Sequence, residues 1–367
     1  MPDPFRILAI NPGATSTKLG LFEDERELRR TILSHPDAEL AAWPRAADQV
    51  QLRKAALAAF LRDSGAHAVG LDAVVGRGGL LRPLASGTYR VDSVMLSELR
   101  AAERGDHASN LGALLAHEVG EELGAPAFIV DPVCVDELAP VARVSGLAGI
   151  ERESISHALN TKAVARRFAK ERGRPYPDLR LVVAHLGTGV SVSAHRDGRM
   201  IDVNNPRDEG PLSPDRPGTL PTRALVDRCF RSGAQPEEVY RELFGSGGIF
   251  SYLGTRDLRE ARARAQAGDG LAALVLEAMT YQIAKAVGEM ATVLLGRVDA
   301  IILTGGMAND PILIKELKSR VGFLAEVVVY EGEDELAALA QGALRVLRGE
   351  EPAHRYGRAG EDDGMLL

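Results

Sequence analysis

Short apolar runs, each bounded by glycine, proline or polar residues, recur along the chain and predict buried β-strands. The predicted strands are residues 7–10, 19–22, 71–75, 127–130, 181–184, 190–194, 200–203, 300–303 and 327–330. Between them, apolar positions at helical spacing predict helices at residues 45–61, 94–104, 154–171, 222–232, 236–244, 271–295 and 333–348. This mixture of strands and helices is typical of an α/β protein.

The loop between the first two predicted strands has the composition of a phosphate-binding turn. Gly13 allows the backbone to approach an anion closely. Hydroxyl groups and a positive charge follow it, at Thr15, Ser16, Thr17 and Lys18. It is not a Walker A loop, because the second glycine before the lysine is missing and a strand follows. The alternative is an ordinary hairpin with a polar turn, over which phosphate binding is only slightly favoured.

A second strand–loop–strand unit repeats this plan about half a chain later. His185 follows a predicted strand, and the loop Gly187, Thr188 and Gly189 leads into the next. Two such units predict two related domains that face each other. A third glycine-rich loop precedes a predicted helix, which favours a nucleotide because N–H groups at a helix start bind phosphate. That loop contains Gly305, Gly306, Met307 and Asn309.

Charged residues at strand ends and in loops are further candidates. Arg77 lies in a glycine-rich loop after a buried strand, where ligands of α/β sheets bind, although a surface ion pair is the alternative. Asp131 follows another strand, and Arg216 lies in a proline-rich loop, residues 204–221, that is too long for a simple turn. Glu335 stands at the start of the last helix, where it can also simply complement the helix dipole.

Length and charge narrow the class of protein. The chain has 367 residues, enough for two domains, and a formal net charge of -7. The negative charge argues against nucleic acid and favours a small-molecule partner. The two cysteines, Cys134 and Cys229, lack metal-ligand spacing and fit a reducing compartment. Neither a signal peptide nor an apolar run near the roughly 20 residues of a membrane span is found. We therefore expect a soluble cytoplasmic protein that binds no membrane.

The three loops, in this order, resemble those of the acetate kinase/actin/sugar kinase fold, and motifs along nearly the whole chain resemble the butyrate kinases of the acetokinase family. The matching motifs are Asn-Pro-Gly-Ala-Thr-Ser-Thr-Lys (11–18), Val-Gly-Arg-Gly-Gly-Leu (75–80), His-Ala-Ser-Asn (107–110), Asp-Pro (131–132), His-Leu-Gly-Thr-Gly (185–189), Asp-Glu-Gly-Pro-Leu-Ser-Pro-Asp-Arg-Pro-Gly (208–218) and Thr-Gly-Gly-Met-Ala (304–308). The resemblance implies two duplicated, actin-like (RNase H-like) domains with an interdomain nucleotide cleft.

The predicted domain division follows from the same resemblance. It gives an acyl-substrate domain at residues 1–153, joined by the C-terminal helix at 333–349, and a nucleotide-binding domain at residues 154–332. The composition beyond the last helix predicts a disordered tail at residues 350–367.

The resemblance also implies a reaction and its residues. ATP and a short-chain carboxylic acid give ADP and an acyl phosphate, reversibly and with Mg²⁺. Matching positions are Asn11, Asp131 and Glu335 for magnesium, Arg77 and Arg216 for the two active-site arginines, and His107 and His185 for the two active-site histidines. The 187–189 loop matches the ATP-phosphate loop, and residues 304–309 with Arg256 match the surroundings of adenosine. Two departures are Ala14, where the family has serine, and the missing acid before Arg256.

The chemistry agrees with these residue types. A carboxylate is already ionised at neutral pH, so its phosphorylation needs alignment and charge neutralisation rather than a general base. Arg77 and Arg216 can grip a carboxylate or phosphoryl oxygens in pairs, and His185 can donate a hydrogen bond to them. Mg²⁺ needs few carboxylates and keeps several waters, which suits Asp131 and Glu335.

The preferred acid is predicted from two small residues. Ala184 and Gly79 stand where acetate kinases carry larger side chains. Both changes would enlarge an acyl pocket and favour butyrate or a branched analogue over acetate.

Two alternatives remain open. A kinase of the same fold that phosphorylates a sugar hydroxyl would need a general base, for which Asp131 is the candidate, but two arginines fit a carboxylate better. A non-catalytic actin-like nucleotide switch would need a partner-binding module, and none is visible in the sequence. The resemblance favours a homodimer or larger homo-oligomer.

Overall fold

The computed structural model describes residues 3–63 and 70–357. The chain divides into two compact units, each built around its own mixed β-sheet. Unit 1 comprises Met1–Val135 with Asp334–Leu367, and unit 2 comprises Asp136–Glu333. The prediction of two α/β domains is confirmed.

The boundary between the units lies earlier in the chain than predicted, because residues 136–153 belong to unit 2. Buried polar contacts fasten this segment there. The Glu137 carboxylate lies 2.5 Å from the ammonium of Lys162, which is fully buried. Arg152 forms an ion pair with Asp202 at 2.9 Å. The segment is mostly irregular, so no periodic pattern assigned it to either domain.

The sheet of unit 1 has the strand order β12-β5-β6-β4-β1-β2-β3. Its strands are β1 (Arg6–Pro12), β2 (Ser16–Glu23), β3 (Arg26–Ser34), β4 (Ala73–Arg77), β5 (Thr88–Arg90), β6 (Ala127–Val130) and β12 (His354–Arg355). Strands β1, β2 and β3 form an antiparallel meander, and β1, β4 and β6 are parallel.

The sheet of unit 2 has the order β11-β10-β7-β8-β9. Its strands are β7 (Leu181–Leu186), β8 (Val190–Arg196), β9 (Arg199–Val203), β10 (Ala300–Gly305) and β11 (Val327–Glu331). Again the first three are an antiparallel meander and β7, β10 and β11 are parallel. Five strands of unit 1, in the order β6-β4-β1-β2-β3, therefore repeat in unit 2, as two related domains require.

Strand β3 was not predicted. Its sequence is Arg-Glu-Leu-Arg-Arg-Thr-Ile-Leu-Ser, and none of its residues is buried. It lies at the edge of the unit 1 sheet, where charged side chains prevent pairing with other chains. An edge strand of this kind lacks the buried apolar run that identified the other strands.

Helices cover both sheets. Unit 1 contains α1 (Asp37–Leu40), α2 (Val50–Asp63), α3 (Ser93–Ala101), α4 (Leu111–Leu123) and α13 (Glu335–Leu347); unit 2 contains α5 (Pro140–Arg143), α6 (Ala158–Glu171), α7 (Thr222–Cys229), α8 (Pro236–Leu243), α9 (Gly248–Leu253), α10 (Leu258–Gln266), α11 (Gly270–Val293) and α12 (Pro311–Val321). Aspartate side chains cap several of these helices by accepting a first-turn N–H: Asp92, Asp257, Asp269, Asp310 and Asp334.

Helix α11 is the central helix of unit 2. Its buried face, with Met279, Ile283 and Val287, packs against the apolar face of the β7–β8 sheet. By length and composition alone it is the one helix of residues 3–63 and 70–357 apolar enough to cross a membrane, and 44% of its most apolar window is buried in the protein. A buried core helix passes the same test, so this is weak evidence for a span.

The C-terminal segment is ordered further than predicted. Residues 350–357 belong to unit 1, and β12 pairs with β5. The Tyr356 hydroxyl donates to Glu98 (2.5 Å) and accepts from the Arg82 N–H (3.0 Å). Burial, followed by the bond to Glu98, raises the pKa of Tyr356 to about 12. The prediction of disorder is wrong for this part, and residues 358–367 lie outside the described residues.

Candidate active site

Three candidate residues lie at the carboxyl ends of neighbouring strands in the unit 1 sheet. Strands β1, β4 and β6 are adjacent and parallel, and the register aligns Arg77 with Val130. Asn11 lies near the carboxyl end of β1, Arg77 ends β4, and Asp131 directly follows β6. Ligands of open α/β sheets bind at the carboxyl ends of the strands.

Glu335 joins two of these side chains into one cluster. Its carboxylate accepts a hydrogen bond from the Asn11 amide (2.5 Å) and lies 3.3 Å from the Arg77 guanidinium. The carboxylate is largely buried, since the side chain is 12% exposed. The capping bond of α13 is made by Asp334, whose side chain accepts the Ala337 N–H. Glu335 therefore contacts Asn11 and Arg77 rather than serving only the helix terminus.

Asp131 has a different environment. It is buried, and its φ of 39° lies in the left-handed region, which is unusual for a residue other than glycine. Its Oδ1 accepts hydrogen bonds from the Ser86 hydroxyl (2.6 Å) and the Gly87 N–H (2.8 Å). Strained backbone at the ligand-binding edge of a sheet is typical of functional sites.

The glycines around Arg77 serve packing. A Cβ at Gly76 would lie 2.0 Å from the carbonyl oxygen of Gly112, and one at Gly78 would lie 2.4 Å from Cβ of Pro132. These glycines let helix α4 and the loop after β6 approach β4 closely. The Arg77 side chain remains 24% exposed beside Glu335.

Neither residue predicted to enlarge the acyl pocket borders open space. A Cβ at Gly79 would lie 2.4 Å from Oδ1 of Asn110 and 2.8 Å from Cδ2 of Leu99. Ala184 is fully buried in the apolar core that includes α11. The structure therefore contradicts the steric argument for a longer acid, because both positions are small to allow packing.

His107 has a local structural role. It is exposed, and its Nδ1 accepts the N–H of Ser109 (3.2 Å), which caps the short 3₁₀ helix Ala108–Asn110. The ring nitrogen also lies 2.9 Å from the Ser109 hydroxyl.

The turn between β1 and β2 presents its residues differently from the prediction. Thr15 and Lys18 are exposed and Ser16 is half-buried, but Thr17 is fully buried. The Thr17 hydroxyl lies 2.9 Å from Nε2 of His35 and accepts a bond from Arg53 at 3.1 Å. The prediction of Thr17 as a phosphate ligand is therefore contradicted, because its hydroxyl points beneath the turn.

Arg53 holds this turn from beneath and was missed by the sequence interpretation. Its guanidinium donates to the carbonyls of Gly13 (2.9 Å), Ala14 (2.8 Å) and Ser16 (3.1 Å). Its position in the sequence could have indicated that Arg53 is buried. Arg53 lies on the same face of α2 as the apolar residues Val50 and Leu57.

In unit 2, the loop at residues 187–189 turns back beside His185. The His185 ring is buried at the end of β7, and a Cβ at Gly187 would lie 2.9 Å from its Nε2. Thr188 is exposed at the tip, and its carbonyl accepts the Ser213 hydroxyl at 2.5 Å. The loop thus offers exposed backbone directly next to a fixed imidazole.

Two residues at the start of α6 fix that imidazole, and both were missed. The Asn160 amide donates to Nδ1 of His185 (2.9 Å), which leaves the proton on Nε2 in the neutral ring. The His157 ring stacks on His185 with centroids 3.8 Å apart. Nε2 lies 3.7 Å from the Glu333 carboxylate. The signal was a histidine and an asparagine three residues apart, which places both on one helix face.

The third glycine-rich loop follows β10. Gly305 has a φ of 91°, and a Cβ there would lie 2.5 Å from the Leu186 carbonyl oxygen, so only glycine fits. Gly306 and Asn309 are exposed, whereas Met307 is buried. The Asn309 amide donates to the Gly306 carbonyl (3.0 Å). The helix predicted after this loop is confirmed as α12, Pro311–Val321.

Arg216 and Arg256 lie on loops of unit 2. Arg216 pairs with Asp215 at 3.3 Å, and the Ser213 N–H donates to the Arg216 carbonyl at 3.0 Å. Because the Ser213 hydroxyl also bonds the 187–189 loop, the Arg216 turn is tied to that loop. Arg256 is exposed, donates to the Gly245 carbonyl and stacks on Phe250 at 3.9 Å.

Known proteins are similar to this chain in sequence. The model of the acetokinase family matches residues 147–329. Butyrate kinase 1 of Clostridium acetobutylicum is 51% identical over 353 residues, which cover 96% of this chain and 99% of that protein. The similarity therefore runs through both units.

Similar solved structures share the fold. The acetate kinase of Porphyromonas gingivalis superposes with a TM-score of 0.77 at 19% identity, covering 94% of this chain and all of that one. A propionate kinase of Francisella tularensis gives a TM-score of 0.74 at 20% identity, covering 92% of this chain and 98% of that one. At these identities the structural likeness establishes the fold alone.

Proposed function

The chain belongs to the acetokinase family of kinases acting on carboxylates, and we propose that it converts butyrate and ATP reversibly into butanoyl phosphate and ADP. The observation that carries the choice of acid is the 51% identity, over nearly both full lengths, to a butyrate kinase. The sizes of Gly79 and Ala184 no longer support that choice, since both are explained by packing.

The proposed transfer proceeds in line, without a general base. A carboxylate oxygen forms a bond to the γ-phosphorus while the bond to the β,γ-bridging oxygen breaks, and ADP leaves with that electron pair. In unit 1, Arg77 neutralises the anionic acceptor. In unit 2, Arg216 and the Nε2–H of His185 stabilise the charge on the transferred phosphoryl oxygens. Asn160 and His157 act through His185 as positioning residues.

The nucleotide is assigned to unit 2. The loop at residues 187–189 suits the phosphates, because Thr188 is exposed and backbone N–H groups can bind anions. The Gly187 N–H is the exception, since it donates to the Gly189 carbonyl. The exposed Gly306 and Asn309, the first and last residues of the 3₁₀ helix after β10, and Arg256 are proposed to lie around adenosine. Met307, which is buried, would support that loop from beneath.

Magnesium fits the donor set in unit 1. Asn11, Asp131 and Glu335 supply oxygen atoms at one sheet edge, the ligand type that Mg²⁺ prefers. Among residues 3–63 and 70–357, no three His, Cys, Asp or Glu side chains gather into a metal site. The protein would therefore supply few ligands, with waters completing the shell. When bound, Mg²⁺ would neutralise phosphate charge.

The rival assignment of Asp131 as the base of a sugar kinase is not favoured. Its Oδ1 already accepts two hydrogen bonds, from Ser86 and Gly87, which holds the strand end in place. Butanoate is an anion and needs no proton removed.

Location and assembly are part of the proposal. The cysteine content, Cys134 and Cys229 without metal-ligand spacing, supports a reducing cytoplasm. A homodimer or larger homo-oligomer is proposed from the resemblance to the acetokinase family.

The acceptor is tested by acyl-hydroxamate formation with ATP, Mg²⁺, hydroxylamine and acids from acetate to isovalerate. We expect the rate to peak at butyrate or a branched four-carbon acid. A peak at acetate would keep the reaction and overturn the acid. No hydroxamate with any acid would contradict the function, and ADP release with glucose would then support a sugar kinase.

A further inference from the structure

Arg53 is a buried cation that no carboxylate of residues 3–63 and 70–357 neutralises. Its side chain is 0% exposed, although arginine is one of the residues least often buried. Within the described part of the chain, no aspartate or glutamate forms an ion pair with it. Its guanidinium instead bonds Gln49, Thr17 and three backbone carbonyls. A buried charge without a counter-ion is costly unless another anion is bound nearby.

The hydrogen bonds of Arg53 orient the turn above it. The carbonyls of Gly13, Ala14 and Ser16 point inward to the guanidinium, and the Thr15 carbonyl accepts the N–H of His35 (2.8 Å). In residues 3–63 and 70–357, the N–H groups of Ala14 and Thr15 donate to no protein acceptor, and both residues are exposed. Carbonyls bonded from beneath, together with exposed N–H groups that bond no described acceptor, are typical of a backbone anion site.

We propose that Arg53 is the positioning residue of the β1–β2 turn and that a phosphoryl group bound on the turn is the counter-charge of this buried arginine. This identification rests on the proposed function: the group is the phosphoryl group that is transferred, which butanoyl phosphate carries in the reverse reaction. The anion site itself does not depend on which acid is used.

The fork shape of arginine is essential to this role. One planar guanidinium reaches three carbonyls, the Thr17 hydroxyl and Gln49 at once. A lysine would keep the charge but place it on a single nitrogen with three donors. Arg53→Lys should therefore separate charge from geometry, and Arg53→Met removes both.

The experiment measures the affinity of the full-length protein for inorganic phosphate, from thermal unfolding at constant ionic strength with chloride as reference. We expect a tenfold or greater loss in Arg53→Met, a smaller loss in Arg53→Lys, and a still smaller one in Gln49→Leu, which loosens the guanidinium. Arg62→Met is the matched control, because Arg62 is exposed on the same helix, and it should bind phosphate like the wild type.

Kinetics separate positioning from stability. In the direction that consumes butanoyl phosphate, Arg53→Lys should raise the KM for butanoyl phosphate about tenfold and leave the KM for ADP unchanged. If Arg53→Met does not fold, Arg53→Lys and Gln49→Leu decide. Phosphate affinities equal to wild type in both would overturn the inference. A wild type that forms no hydroxamate, yet binds phosphate through Arg53, would overturn the proposed function alone.

Discussion

The turns after β1 and after β7 occupy equivalent places in the five-strand order that the two sheets share, but they are supported differently. The first turn rests on Arg53, a buried cation that binds its carbonyls. The second turn rests on the stacked rings of His185 and His157 and on the Ser213 hydroxyl, and no arginine bonds its carbonyls among the described residues. The same strand–turn–strand unit therefore carries a fixed charge in one place and a fixed hydrogen-bond donor in the other.

The difference suits two tasks in a phosphoryl transfer, attracting an anion and donating a hydrogen bond to one of its oxygens. A full charge beneath a turn attracts an anion from several directions, whereas an imidazole with one defined N–H acts on one oxygen. Duplication explains why both turns lie at the ligand edge of a sheet. It does not determine the chemistry, which depends on the helices packed beneath each turn.

The largest expected effect comes from a methyl group in the second turn. Gly187→Ala would place Cβ 2.9 Å from Nε2 of His185. To make room for the methyl group, the ring must leave the position in which His157 and Asn160 hold it, and its N–H then no longer points at the substrate. We expect kcat to fall by about 100-fold, the cost of a misplacement near 1 Å.

The matched control is the same change in the first turn. A Cβ at Gly13 would meet Ser16 at 3.5 Å, an ordinary contact, and Gly13 has no positive φ. The free energy of unfolding of Gly13→Ala should stay within about 0.5 kcal/mol of wild type. A Gly187→Ala enzyme with full kcat would show that His185 does not act on the substrate.

A smaller effect is expected from Asn160→Leu. This change removes the donor to Nδ1 of His185, so the ring can place its proton on either nitrogen. Loss of one such bond, about 1.4 kcal/mol, corresponds to a tenfold lower kcat. The pH profile of kcat should change with it. Thr161→Val, on the same helix, is the control, because among the described residues that hydroxyl bonds the Ala158 carbonyl alone. Unchanged kcat in Asn160→Leu would contradict the positioning role.

The last effect concerns stability rather than rate, through one buried histidine in each unit. Burial, followed by Lys162 and Arg166, holds the pKa of His195 well below its usual value. Burial, followed by Arg53, lowers the pKa of His35. In both cases the unfolded chain binds a proton that the folded protein does not. Stability should therefore fall as pH drops below about 6.5, by about 1.4 kcal/mol per pH unit for each group, until the folded pKa is reached.

Urea unfolding between pH 5 and 8 measures this dependence. His195→Gln should flatten the acid slope over a wider pH range than His35→Gln, because its pKa is the more strongly lowered. An acid slope of His195→Gln equal to that of the wild type would show that His195 takes up a proton in the folded protein.

Several features could be predicted from the amino-acid sequence alone. The apolar runs at 7–10, 181–184 and 300–303 identified three central strands, because buried parallel strands need continuous apolar residues. The glycine-rich loops between elements identified the ligand edge, and the family motifs identified the reaction. The edge strand β3 was not predicted, because a strand with no buried residues has no apolar run.

Only the tertiary structure showed what each small or polar residue contacts. The sequence presents Thr17 as a hydroxyl in a polar turn, Gly79 as an absent side chain and Arg53 as one basic residue on a helix. In the structure, the Thr17 hydroxyl bonds Arg53 beneath the turn, and Arg53 is a buried cation. Gly79 is a close packing contact. The physical reason is that the direction of a side chain depends on partners far away along the chain, such as Glu335 for Asn11, and a local pattern contains no information about those partners.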